Sequence, residues 1–209
     1  SDIGKTLAIH GGNRYFKTMD DTEIFVEGFT SPPTLVLIGG GHVNRAVSRL
    51  ASFLGFRMYA VDDRVEFANK ERFPEAETLV ISDYSRGLEN VSVNSNTYIV
   101  VATRGHRYDD LALAAAIRTP ARYIGLLGSR RKTLEIYKNL LKEKVPTERL
   151  REVYASIGLN IGAITPEELA VSIMAEIIMV RNGGTGMSMK MNTANLNTLM
   201  KHEEPDQAL

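Results

Sequence analysis

Five short apolar runs recur along the chain, and most of the gaps between them are long enough to hold a helix. They are TLVLIG at 34–39, RMYAVD at 57–62, TLVIS at 78–82, TYIVVAT at 97–103 and RYIGLLG at 122–128. Each is almost continuously apolar, the pattern of a strand buried on both faces. Stretches between them carry apolar residues at spacings of three and four, as at Leu111, Ala114 and Ala115, which is the helical period. Strands alternating with helices predict βαβ units and a sheet of parallel strands with helices on both faces.

The helices are expected at 42–54, 108–117 and 129–142. A further one opens at ITPEELAVSIMAEIIMVRN, where Thr165 is the N-cap, Pro166 takes the first helical position and Glu168 reaches back to complete a capping box. Glu176 lies inside this otherwise apolar helix and is expected to be a satisfied structural carboxylate. Residues 1–31 hold two short runs of alternating apolar residues ahead of SerProPro at 31–33, a hairpin or the remnant of a further domain. The expected organisation is a β extension over 1–31, a main α/β domain over 32–184 and an extended tail over 185–209. Met187, Met189 and Met191 in that tail suit packing on a neighbouring copy, so a homo-oligomer is possible.

Bulk properties narrow the function classes. Hydrophobic residues make up 44% and charged residues 24%, near the averages of soluble globular domains, which disfavours disordered and fibrous classes. Twenty-five Lys and Arg balance twenty-five Asp and Glu, so no broad electrostatic field points to nucleic acid or to an anionic membrane. No apolar run approaches the roughly 20 residues of a membrane span, and a cytoplasmic location is expected. The absence of cysteine removes disulfides, thiolate metal sites and a cysteine nucleophile from these 209 residues.

The first apolar run ends in Gly39, Gly40 and Gly41, and His42 opens the helix behind them. Glycines between a strand and a helix bring unpaired N–H groups and the positive end of the helix dipole to one point, which suits an anion. Asp62 closes the second strand at the spacing from which an acid reaches a ribose hydroxyl in dinucleotide sites. The fold class is thus α/β, a doubly wound, mostly parallel, Rossmann-like sheet of five or six strands with a small N-terminal β extension. Asn44 stands where such turns carry a third glycine, so helix and strand must separate or Ala46 must compensate. Alternatively the glycines only make a sharp turn, and Asp62 caps the next segment through Arg64.

Two more segments leave the carboxyl ends of strands. TRGHRYDD at 103–110 supplies Thr103, His106, Asp109 and Asp110, and GSRRK at 128–132 supplies Gly128, Ser129, Arg130 and Arg131. Ligands of doubly wound sheets bind where the strand order reverses, so His42 and His106 are expected to face one crevice. Two guanidinium groups in the first turn of a helix oppose its dipole unless an anion lies between them, or they are held by salt bridges to Glu135 or Asp110. The histidine and aspartates could orient one another for acid/base work, while Asp109 or Asp110 could equally cap the following helix. No catalytic residue and no metal ligand is assigned.

In order and spacing, LVLIGGGHVNRAVSRLASFLGF, VDDR, TRGHRYDDLAL, YIGLLGSRRK and IGLNIGAITPEELAVSIMAEII resemble the Rossmann-type domain of the XdhC/CoxI family over about residues 22–187. These are accessory proteins of xanthine dehydrogenase and related molybdenum hydroxylases. The resemblance implies binding of the molybdenum cofactor (molybdopterin), support of its sulfuration by a cysteine desulfurase, and delivery to the hydroxylase. It also implies that Gly39, Gly41, His42, Asp62, Arg64, His106, Asp109, Asp110, Gly128, Ser129, Arg130 and Arg131 line the cofactor site, a maturation role rather than turnover. The chain departs from the family at Asn44, in lacking cysteine, and in carrying only EIFVEGF of an additional N-terminal domain. Two other classes remain: an NAD(P)-dependent oxidoreductase using the glycines and Asp62 with His106 as general acid, and a nucleotide-sensing regulatory module.

Overall fold

The computed structural model of the chain describes residues 12–29 and 31–190. Five parallel strands form the central sheet: β3 (Thr34–Ile38), β4 (Arg57–Asp62), β5 (Thr78–Ile81), β6 (Thr97–Val101) and β7 (Tyr123–Leu126), in spatial order β5-β4-β3-β6-β7. The register sets Leu35 beside Met58 and Tyr98, and Ile38 beside Val61 and Val101. The chain runs from β3 to one edge, then crosses back over β3 to build the other half. The order therefore reverses between β3 and β6, and the carboxyl ends of these two strands flank the switch point.

Alternation along β3 divides the core in two. Leu35 and Leu37 join Val47 and Ala51 of α1 (His42–Phe53) and Ile173 and Ile177 of α5 (Pro166–Asn182). Val36 and Ile38 face the opposite side, with Leu113 of α2 (His106–Ile117) and Ile136 and Leu140 of α3 (Arg130–Lys142). Both faces of the sheet are thus covered, which is why its strands read as continuous apolar runs. The capping box at Thr165 and Glu168 is present, and α5 ends at Gly183 in the left-handed region. Glu176 accepts the Tyr123 hydroxyl at 2.5 Å and the Gly158 N–H at 3.0 Å, so this buried carboxylate ties α5 to β7 and to the loop that precedes the helix.

The N-terminal extension is an antiparallel hairpin of β1 (Gly12–Lys17) and β2 (Glu23–Gly28), with Tyr15 opposite Phe25. The apolar run before Gly12 lies outside the described residues. α2 starts at His106, two residues earlier than its apolar period indicates. β6 stops at Val101, because Ala102 and Thr103 turn to pack on Gly39. A short α4 (Thr147–Arg151) has no counterpart in the sequence pattern, since five residues are too few to show a period. Residues 183–190 form no helix or strand; Met187 and Met189 are exposed, and Met191 lies outside the described residues.

Candidate functional site

The turn after β3 is closed on two sides and open on the third. Gly39 has φ +104°, and a Cβ there would come within 2.2 Å of the Ala102 carbonyl oxygen. A Cβ on Gly40 would meet the Phe67 carbonyl oxygen at 2.3 Å, whereas one on Gly41 would meet nothing within 4 Å. Gly41 is the N-cap of α1, so the leading N–H groups of this helix have no capping side chain, and His42 beside them is exposed. Asn44, at the position of a third glycine, bridges the helix and the strand end. It is fully buried, and its Nδ2 donates to the carbonyls of Ile38 at 3.1 Å and Gly39 at 2.7 Å, tying helix to strand end.

Asp62 is only 1% exposed, and its carboxylate is occupied by the protein itself. Oδ2 accepts the Gly40 N–H at 2.7 Å; Oδ1 accepts the Arg64 N–H at 3.1 Å and its Nε at 3.0 Å. Burial pushes this carboxyl up, but the Arg64 guanidinium and the Gly40 N–H outweigh that and hold it below the usual carboxylate range. The Arg64 guanidinium lies 3.5 Å from the centre of the Phe67 ring, with Arg72 on the same ring at 4.8 Å. Arg72 also donates to the Gly40 carbonyl at 3.0 Å, so residues 64–72 brace the turn. An acid that reads ribose needs free lone pairs, and those of Asp62 are engaged in holding the glycine turn.

The loop after β6 is fixed in a similar way. Buried Asp109 accepts the Thr103 N–H at 3.1 Å and the Thr103 hydroxyl at 2.6 Å through Oδ1, and pairs through Oδ2 with Lys132 of α3. That ion pair joins the β6 loop to the β7 loop, where Ser129 is the N-cap of α3 and Arg130 and Arg131 are exposed in its first turn. The Gly128 carbonyl accepts the Ser156 hydroxyl at 2.6 Å. Neither aspartate is an N-cap: Gly105 holds that position, and Asp110 turns to Asn139 on α3 at 2.9 Å. Burial raises the Asp110 carboxyl, with Asn139 opposing the shift. The backbone of His106 opens α2; its side chain lies outside the described residues.

With this edge in view, the comparisons are decisive. Residues 35–177 match the family model of the XdhC Rossmann domain. The chain belongs to the XdhC family. It is 37% identical over 164 residues to the uncharacterized protein YqeB of Escherichia coli strain K12, covering 78% of this chain and 30% of that protein. It is 34% identical over 160 residues to a probable xanthine dehydrogenase subunit of Bacillus subtilis, covering 77% and 46%. The chain thus spans less than half the length of both curated relatives. A crystal structure described as a xanthine dehydrogenase from Bacillus halodurans superposes with a TM-score of 0.68 at 22% identity, over 92% of this chain and 53% of that one, which shows a shared fold.

Within the XdhC domain, the sequence-predicted segments 39–42, 62–64, 103–106 and 128–131 all lie at or just past the carboxyl ends of strands in one sheet, and Gly39 touches the β6 loop directly. Asp110 is the exception, since its carboxylate is bonded to the third turn of α3. Four further residues at this edge are not evident from the sequence. Arg72 holds the Gly40 carbonyl, Lys132 pairs with Asp109, and Asp63 pairs with Arg104 at 2.7 Å. VDDR and TRGH contain Asp63 and Arg104, and GSRRK contains Lys132, but spacing does not reveal which charges meet across loops.

Proposed function

We propose that this XdhC domain has a xanthine dehydrogenase-associated role, in which it binds the molybdenum cofactor and supports its sulfuration and insertion into a hydroxylase of that type. The observation that carries the proposal is the form of the β3 turn. Two glycines admit no side chain, the third leaves the start of α1 uncapped and open, and the acid of a dinucleotide site is bound to the turn itself. That combination suits a phosphate monoester approaching backbone N–H groups and does not suit an adenosine ribose, so it favours a phosphorylated pterin over NAD(P).

The residues present fit such a group. The N–H groups of Gly41 and the first turn of α1, with Arg130 and Arg131 at the start of α3, supply donors and positive charge for its phosphate; His42 and His106 are the candidates for its pterin edge and oxygen ligands. When bound, the cofactor supplies the metal centre that the hydroxylase uses. This chain binds and orients it. With no cysteine among its 209 residues, sulfur transfer is left to a partner such as a cysteine desulfurase.

The test mixes the purified chain with molybdenum cofactor and cofactor-free hydroxylase. Co-elution on gel filtration and a rise in hydroxylase activity are expected. Arg130→Ala combined with Arg131→Ala is expected to lower retention roughly tenfold, with a shallower salt dependence, as when charge-assisted contacts to phosphate are lost. Absence of both co-elution and activation contradicts the proposal.

A further inference from the structure

The loops on either side of the β3 turn are joined by an ion pair with an unusual surplus of donors. Arg104, three residues past β6, donates through Nη2 to Asp63 Oδ2 at 2.7 Å and to the Tyr108 hydroxyl at 2.9 Å. Its guanidinium lies over the Tyr108 ring at 4.4 Å, which fixes the plane of the fork. Asp63 follows β4, so the pair connects β4 and β6, strands that are separated by β3 and its glycine turn. A guanidinium carries five N–H donors. Among the described residues, Nε and Nη1 of Arg104 donate to nothing, and the side chain is 36% exposed. Asp63 is less exposed, at 23%, and has a second cation nearby: Arg64 Nε lies 3.6 Å from its Oδ1.

From this geometry we infer that Arg104 is an anion-recognition residue of the turn and that Asp63 occupies its guanidinium in place of the ligand's phosphate. The inference rests on the turn being an anion site, and adds to it a specific donor and a built-in competitor. The planar fork presented by Arg104 matches a phosphate, which takes two parallel N–H bonds from one guanidinium. When Arg104 leaves, the Arg64 guanidinium, which Asp63 shares with Asp62, stays 3.6 Å from Asp63 Oδ1, so the Asp63 charge remains partly compensated through the exchange. The aromatic support from Tyr108 does not depend on Asp63 and persists through the exchange.

The two partners then have opposite effects on binding, which a purely structural bridge does not produce. Inorganic phosphate titrated into the ¹⁵N-labelled chain at constant ionic strength, followed by amide shifts of residues 40–43, is the measurement. Arg104→Ala is expected to weaken binding about tenfold. Arg104→Lys restores part of it, as a point charge without the fork. Asp63→Asn is expected to tighten binding about threefold, by removing a competing charge. Asp63→Ser serves in its place if the asparagine variant loses spectral dispersion. Parallel weakening by both Arg104→Ala and Asp63→Asn, or an unchanged affinity in Arg104→Ala, overturns the assignment of Arg104 while leaving the turn as an anion site. A wild-type chain with no saturable shift overturns the anion site itself, and the inference with it.

Discussion

At Asp62, position and role separate. Its place at the end of β4, after the glycine turn, is readable from spacing, and so is its partner Arg64. The bond from the Gly40 N–H is not, because it depends on the turn folding back over the strand ends. Asp62→Asn is expected to cost about 1–3 kcal/mol near neutral pH, the usual range for a buried group that loses charged partners. The folded-state carboxyl sits below its ordinary value. Its contribution is therefore full above the unfolded value of about 3.9 and is lost as pH falls through the folded one, so wild type and variant converge in urea melts taken toward low pH. The glycines give a paired prediction. Gly39→Ala forces a left-handed φ and a clash with the Ala102 backbone, and is expected to abolish or severely reduce folding; Gly41→Ala meets open space and should leave the melting temperature within a few degrees. Asn44 departs from its expected effect because size alone does not decide that position: its amide has the donors that two strand-end carbonyls need.

Among elements, those with long apolar periods or explicit end signals are legible in the sequence. The five strands and α1, α3 and α5 fall close to their expected bounds, and the Thr165 capping box is present as read. Ion pairs between loops are not legible, since they join residues far apart in sequence. Lys132 and Asp109 show the energetic weight of such a tie: Asp109 is fully buried and also anchors Thr103. Lys132→Met strands that carboxylate and is expected to destabilise the chain by about 3–5 kcal/mol, measured by chemical denaturation. The double variant Lys132→Met with Asp109→Asn should recover part of the loss. Additive losses would show that the two side chains act independently.

Over the whole molecule, the alternation of buried strands and amphipathic helices is enough to set a doubly wound sheet, and that topology places the glycine turn and the β6 loop at one edge. Hence most of the candidate site is legible as location. Its ligand chemistry is less so, because the acid that suggests a dinucleotide is turned inward in three dimensions. No helix among the described residues is long and apolar enough to cross a membrane. The central claim is that the carboxyl edge around residues 39–42, 103–106 and 128–131 is a single site for the phosphorylated pterin of the molybdenum cofactor. A crystal of the chain grown with that cofactor, with diffraction recorded at the molybdenum absorption edge, tests it most directly. The account predicts an anomalous peak at this edge, with the cofactor's phosphate against the start of α1 or α3. A peak at the opposite edge of the sheet or on the N-terminal hairpin, with the glycine turn unchanged, would contradict it.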